Sequence, residues 1–184
     1  MAQKHEPEKG PLIIAPSLAP IKPNMELIFK YAWIFLIAVT VLNGFVLKYR
    51  SKKYIQENPE LESGYDRFFK GWLIYGNIPW IIIMIGNLSG LTESIFEYFN
   101  PKAMNPMVLT FHLSIVILWI LSIRWIYFRD GAEFIEKHPG LLRISGLKGV
   151  SDTSAKQVKL FFPLMLLGGI IGLILMWTME FQIM

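Results

Sequence analysis

Four stretches of this chain contain no Lys, Arg, Asp or Glu: residues 31–47, 71–92, 103–123 and 160–179. A bilayer's hydrocarbon core is ~30 Å thick and a helix rises ~1.5 Å per residue, so a span needs ~20 mostly apolar residues. The first stretch holds 17 residues, but Leu27, Ile28 and Phe29 extend it, and Lys30 can snorkel outward. The pattern predicts an all-α integral membrane protein with four transmembrane helices. Its first partner is therefore the lipid bilayer.

Composition agrees. Hydrophobic residues make up 53% of the chain, charged residues 17%, and the mean hydropathy is +0.42. A soluble domain carries about a quarter charged residues. The absence of cysteine excludes disulfides, thiolate metal sites and cysteine nucleophiles. The net charge of +4 does not point to nucleic acid, because the basic residues sit where membrane topology would put them.

Thirteen of the 18 basic residues fall in two connectors, 48–70 and 124–159. The connector between the second and third spans has only Lys102, against Glu93 and Glu97. Positive connectors stay in the cytoplasm. Both long connectors are thus expected inside, and both termini and the 93–102 loop outside (N-out/C-out). The tail's Lys4, Lys9 and Lys22 run against this rule. Trp33, Trp72, Trp125, Tyr127 and Trp177 lie near span ends, as interfacial belts require. Trp80 and Trp119 lie deeper and read as packing residues.

Residues 1–24 carry Pro7, Pro11, Pro16, Pro20 and Pro23. This spacing forbids a helix and favours an extended polyproline II arm. Nothing in it reads as a signal peptide. Leu12, Ile13, Ile14, Leu18 and Ile21 are interleaved, so the arm either rests on the membrane or docks in a partner's groove. Residues 25–184 then form one four-helix membrane bundle.

An internal repeat divides that bundle. The segment 54–61, YIQENPEL, aligns with 134–141, FIEKHPGL, sharing Ile, Pro and Leu. Each copy follows an apolar span that ends in basic and aromatic residues. The repeat unit holds two spans, so the copies, about 25–92 and 103–179, form two parallel helical hairpins. Each repeated segment reads as a short amphipathic cytoplasmic helix extension, stopping at Asn58 or His138 before a proline. Glu133 and Lys137 are spaced for an i,i+4 pair.

Polar residues at membrane depth are the candidate site, because their burial is costly. His112 is the one titratable residue well inside a predicted span. It reads as a neutral interhelical hydrogen-bonding group, as a proton-handling group, or as an axial haem ligand. The haem reading lacks a second histidine at matching depth. Asn43, Asn77 and Asn87 are the other candidates. Asn77 precedes Pro79, which removes the hydrogen bond to the Tyr75 carbonyl and predicts a kink. Pro163 sits near the expected start of the fourth span, where a proline loses little. Gly86 with Gly90, and Gly168 with Gly172, have the GxxxG spacing that lets helices approach closely.

No metalloprotease motif, phosphate loop or pair of membrane carboxylates is present. Asp130, Glu133, Glu136 and His138 read as a solvated face rather than a metal set, and no metal is assigned. The chain is therefore expected to be non-catalytic: an accessory or assembly subunit, or a scaffold, that packs against other membrane proteins or its own copies. The runner-up is a small oligomeric transporter or channel with a path near Asn77, Pro79 and His112. The third is a haem-binding membrane subunit through His112, no cofactor being otherwise implied. The absence of an organelle-targeting pattern points to a bacterial inner membrane.

Overall fold

The computed structural model describes residues 25–146 and 149–179. The Pro-rich arm over 1–24 lies outside them. The described residues are mostly helical: α1 (Met25–Lys30), α2 (Ala32–Glu57), α3 (Glu62–Tyr75), α4 (Ile78–Leu88), α5 (Pro106–Phe128), α6 (Gly131–Lys137) and α7 (Ala155–Thr178). Four segments are long and apolar enough to cross a membrane: α2, the α3–α4 pair, α5 and α7. One departure from the all-α expectation is a two-stranded antiparallel hairpin in the second basic connector, β1 (Arg143–Gly146) with β2 (Gly149–Asp152).

The helix boundaries follow local chemistry. α2 ends at Glu57 with Asn58 as its C-cap, and α6 ends at Lys137 with His138 as its C-cap. Each cap precedes a proline, which disfavours helical backbone in the residue before it. α5 begins where the Asn105 side chain accepts from the Met107 amide, with Pro106 at the first helical position. α7 begins with a capping box between Ser154 and Gln157. α4 ends at Leu88, and Gly90 turns the chain with φ +73° while the Leu91 and Thr92 amides donate to the Gly86 carbonyl.

The second span is broken, as Pro79 predicts. Pro79 has no N–H, and α3 stops at Tyr75 while α4 restarts at Ile78. The Asn77 amide turns back to the Ile74 carbonyl, at 3.3 Å. This leaves the Leu73 carbonyl to the Asn77 side chain, whose Nδ2 donates to it at 2.7 Å. Pro163 behaves differently from expectation. α7 starts at Ala155, so Pro163 lies two turns inside the helix. It deprives the Lys159 carbonyl of its amide donor. The Tyr127 phenol donates there instead, at 2.7 Å.

α2 packs along both halves of the broken span, α4 on α5, and α6 on α7. Two apolar clusters result. One joins Ile83, Tyr98, Val108 and Phe111 near the 93–105 loop. The other joins Ile126, Ala132, Ile135, Val158 and Phe162 beside the basic connectors. Outside them the spans are largely uncovered: within the chain, 22% of the apolar stretch of α5 is buried and only 6% of that of α7. The outer faces of the spans are therefore left for lipid to solvate.

Candidate functional site

The polar candidates fall into three groups. The first surrounds His112, buried on α5. The Trp177 indole Nε1 is 3.1 Å from His112 Nδ1, and His112 Nε2 is 2.9 Å from the Tyr98 carbonyl. An indole N–H can only donate, so Nδ1 accepts and the ring proton is on Nε2. His112 is thereby a neutral Nε2–H tautomer with both nitrogens engaged. An iron would have to displace Trp177 or Tyr98 to reach it.

The same group extends along the 93–105 loop, which folds back as a cap. Tyr98 is 1% exposed. Its phenol donates to Thr92 Oγ1 at 3.3 Å, because the single Thr92 hydroxyl proton goes to Asn87 Oδ1 at 2.6 Å. Asn87 Nδ2 then donates to the Lys30 carbonyl, at 2.6 Å. Lys30 closes α1, so one chain of hydrogen bonds ties α1, α4, the cap, α5 and α7. Gly86 is essential to it: a Cβ there would strike Tyr98 Oη and Thr92 Oγ1. The cap also holds α7 directly, where Lys102 Nζ donates to the Thr178 carbonyl at 3.0 Å. Sequence reasoning misses Thr92 and Tyr98: Thr92 is only the last residue of the apolar stretch 71–92, and Tyr98 reads as a residue of the 93–102 loop.

The second group lies at the break in the second span. Trp72 Nε1 donates to the Thr40 carbonyl at 3.0 Å, and Trp80 Nε1 to Thr40 Oγ1 at 3.1 Å. Thr40 thus joins α2 to both halves of the broken helix. Gly76 permits the approach, since a Cβ would lie 3.1 Å from Thr40 Cγ2. Asn77 and Pro79 are buried here. Asn77 Oδ1 is buried without a hydrogen-bond partner. Asn77 and His112 belong to separate hydrogen-bonded groups, and among the described residues no bond between the two groups joins them into one site. Asn43 is in neither: it is exposed on α2.

The third group is at the basic end and joins segments 54–61 and 134–141. Tyr65 Oη donates to the Pro139 carbonyl at 2.7 Å. His138 stacks on Phe134, its ring centroid 4.0 Å away, and packs against Gly64, where any Cβ would collide with it. Asp152 accepts from the Gly140 amide at 2.9 Å and from the Tyr54 phenol at 3.0 Å. Arg143 Nη2 donates in turn to Tyr54 Oη, at 3.0 Å, and Nε lies 3.5 Å from Asp152. That Tyr54 hydrogen bond, aided by the Asp152 charge, raises the Arg143 pKa above its ordinary value. Positive φ at Gly140, +83°, lets Tyr54 lie over its backbone. His138 faces inward while Glu133 pairs with Lys159 at 2.5 Å, so the acidic residues of α6 do not converge with it. Glu133 therefore prefers α7 to its i,i+4 neighbour Lys137. The Lys159 hydrogen bond holds its carboxyl below the usual range.

The glycine spacings serve unlike purposes. Gly86 admits the cap, Gly90 terminates α4, and Gly169 receives the Trp119 ring at 2.7 Å from a built Cβ. Gly168 and Gly172 have nothing within 4 Å of a built Cβ. Among the described residues no group of three His, Cys, Asp or Glu side chains is gathered to hold a metal ion. Each of the three groups locks elements together by hydrogen bonding. Comparison with protein families, with curated proteins and with solved structures returned no match.

Proposed function

We propose that this chain is a non-catalytic membrane subunit that assembles with other membrane proteins or with copies of itself. One observation carries the reading. On α7 the positions of Gly168 and Gly172 lie on an open surface, on a span only 6% buried within the chain. A strip without side chains lets a second helix approach to backbone contact, which is how helices associate in lipid. Most of the polar groups described above, Asn43 and Asn77 Oδ1 excepted, are spent on internal locking, which suits a rigid accessory module.

The orientation we propose is N-out/C-out in a bacterial inner membrane, with 48–70 and 124–159 cytoplasmic and the two halves related as parallel hairpins. The clustering of basic residues supports it. Because the chain has no cysteine, single-Cys replacements of Lys53 and Lys148 report sidedness cleanly. Labelling of both from the same side is expected, and labelling from opposite sides overturns the layout.

Extraction in mild detergent tests the assembly. A stoichiometric companion or a defined homo-oligomer is expected, and Gly168→Ile should release it while leaving the chain folded. A wild-type protein that runs as a lone monomer ends the reading. A second reading, transport along a path near Asn77, draws support from its unpaired buried Oδ1 beside a broken helix. Solvent accessibility of a cysteine at position 77 would favour it.

A further inference from the structure

We infer that a groove at the basic end of α2 binds one anionic phospholipid. Asn43, Val46, Leu47 and Arg50 line one wall of a cleft of about 240 Å³, and Phe68 and Trp72 line the other. Their spacing places the α2 residues on a single helix face, with Arg50 ~10 Å from Asn43 along the axis. Four features fit a lipid and no simpler ligand. Arg50 lines the cleft from within the basic connector 48–70, the side on which headgroup phosphates lie in the proposed frame. Among the described residues the Arg50 side chain has no ion pair and no hydrogen bond, whereas Arg143 is committed to Asp152 and Tyr54. The walls between are apolar and aromatic, as an acyl chain requires. The Asn43 side chain, exposed and equally without a hydrogen bond among the described residues, adds a free amide to the lining.

The aromatic wall is rigid. Trp72 is fixed by its indole hydrogen bond to the Thr40 carbonyl, so the groove exists before the lipid arrives. A free phosphate would meet only the guanidinium and would leave the apolar walls uncovered. An anionic lipid satisfies both ends, and the leaflet facing a basic connector is the one that supplies such lipids. The inference rests on the membrane frame set by the basic connectors and not on the partner bound at α7.

Native mass spectrometry of the full-length protein, released from detergent, tests this. The probes are phosphatidylglycerol, phosphatidylcholine and inorganic phosphate, each added alone or in competition. A one-to-one phosphatidylglycerol adduct is expected to outlast the phosphatidylcholine adduct, and inorganic phosphate should not displace it. Arg50→Ala should weaken it about tenfold, the worth of a charge-assisted hydrogen bond. Val46→Trp should abolish it by filling the groove with Arg50 still present. Lys102→Ala, at the opposite end, should leave it unchanged. Equal retention of the two lipids, displacement by phosphate, or indifference to both groove variants would overturn the assignment.

Discussion

The Tyr127 phenol donates to the Lys159 carbonyl at 2.7 Å, across from α5 to α7. That carbonyl is the one Pro163 leaves without an amide, four residues on. A proline inside a helix leaves such a carbonyl without its intrahelical donor, and here the phenol supplies one. The bond is exposed, so Tyr127→Phe should lower stability by about 0.5–1.5 kcal/mol, the net worth of an ordinary hydrogen bond. In a Pro163→Ala background the same change should cost almost nothing, because the backbone N–H restored at that position would serve the carbonyl itself. Thermal unfolding of the four variants in detergent decides it. Equal losses in both backgrounds would show that Tyr127 acts through packing alone.

His112 couples the cap to the end of α7 through Tyr98 and Trp177. His112→Phe strands two partners and should cost about 2–3 kcal/mol. Trp177→Phe removes one bond and should cost less. The double variant should lose less than the sum of the two, the signature of a direct contact. Strict additivity of the unfolding free energies would separate the residues.

Gly86 and Gly168 should respond oppositely to the same methyl. Gly86→Ala drives a Cβ into Tyr98 Oη and Thr92 Oγ1, and overpacking of that kind costs about 1–3 kcal/mol. Gly168→Ala meets open space and should leave monomer stability unchanged or slightly raised through helix propensity. Parallel melting curves check both. A neutral Gly86→Ala would mean that the cap is not seated there.

Glu133 sets an acid limb on stability. Its carboxyl is held below the usual range, first by the hydrogen bond from Lys159. A group with a depressed folded pKa contributes its full stabilisation above the ordinary glutamate range, and loses it as pH falls through the depressed folded value. Melting temperature should therefore drop on acidification through and below that range, and Glu133→Gln should flatten that part of the curve. The pair is half-exposed, so high salt should also blunt the effect. An unchanged acid limb in Glu133→Gln would assign it to other carboxylates.

The part of this protein legible before folding is the part written in local, additive properties. Hydropathy over a window settles which segments can cross a membrane, and a proline settles where α2 and α6 stop and where the second span breaks. None of this needs a neighbour. The folded chain alone selected which polar groups find each other. His112 meets Trp177 across 65 positions and Tyr54 meets Asp152 across 98. No periodicity encodes such pairs. Folding also turned two glycine spacings of identical form to different ends, because a glycine's use depends on what approaches it. The loop residues Thr92 and Tyr98 became core for the same reason: burial belongs to the folded chain, and composition at a single position does not contain it.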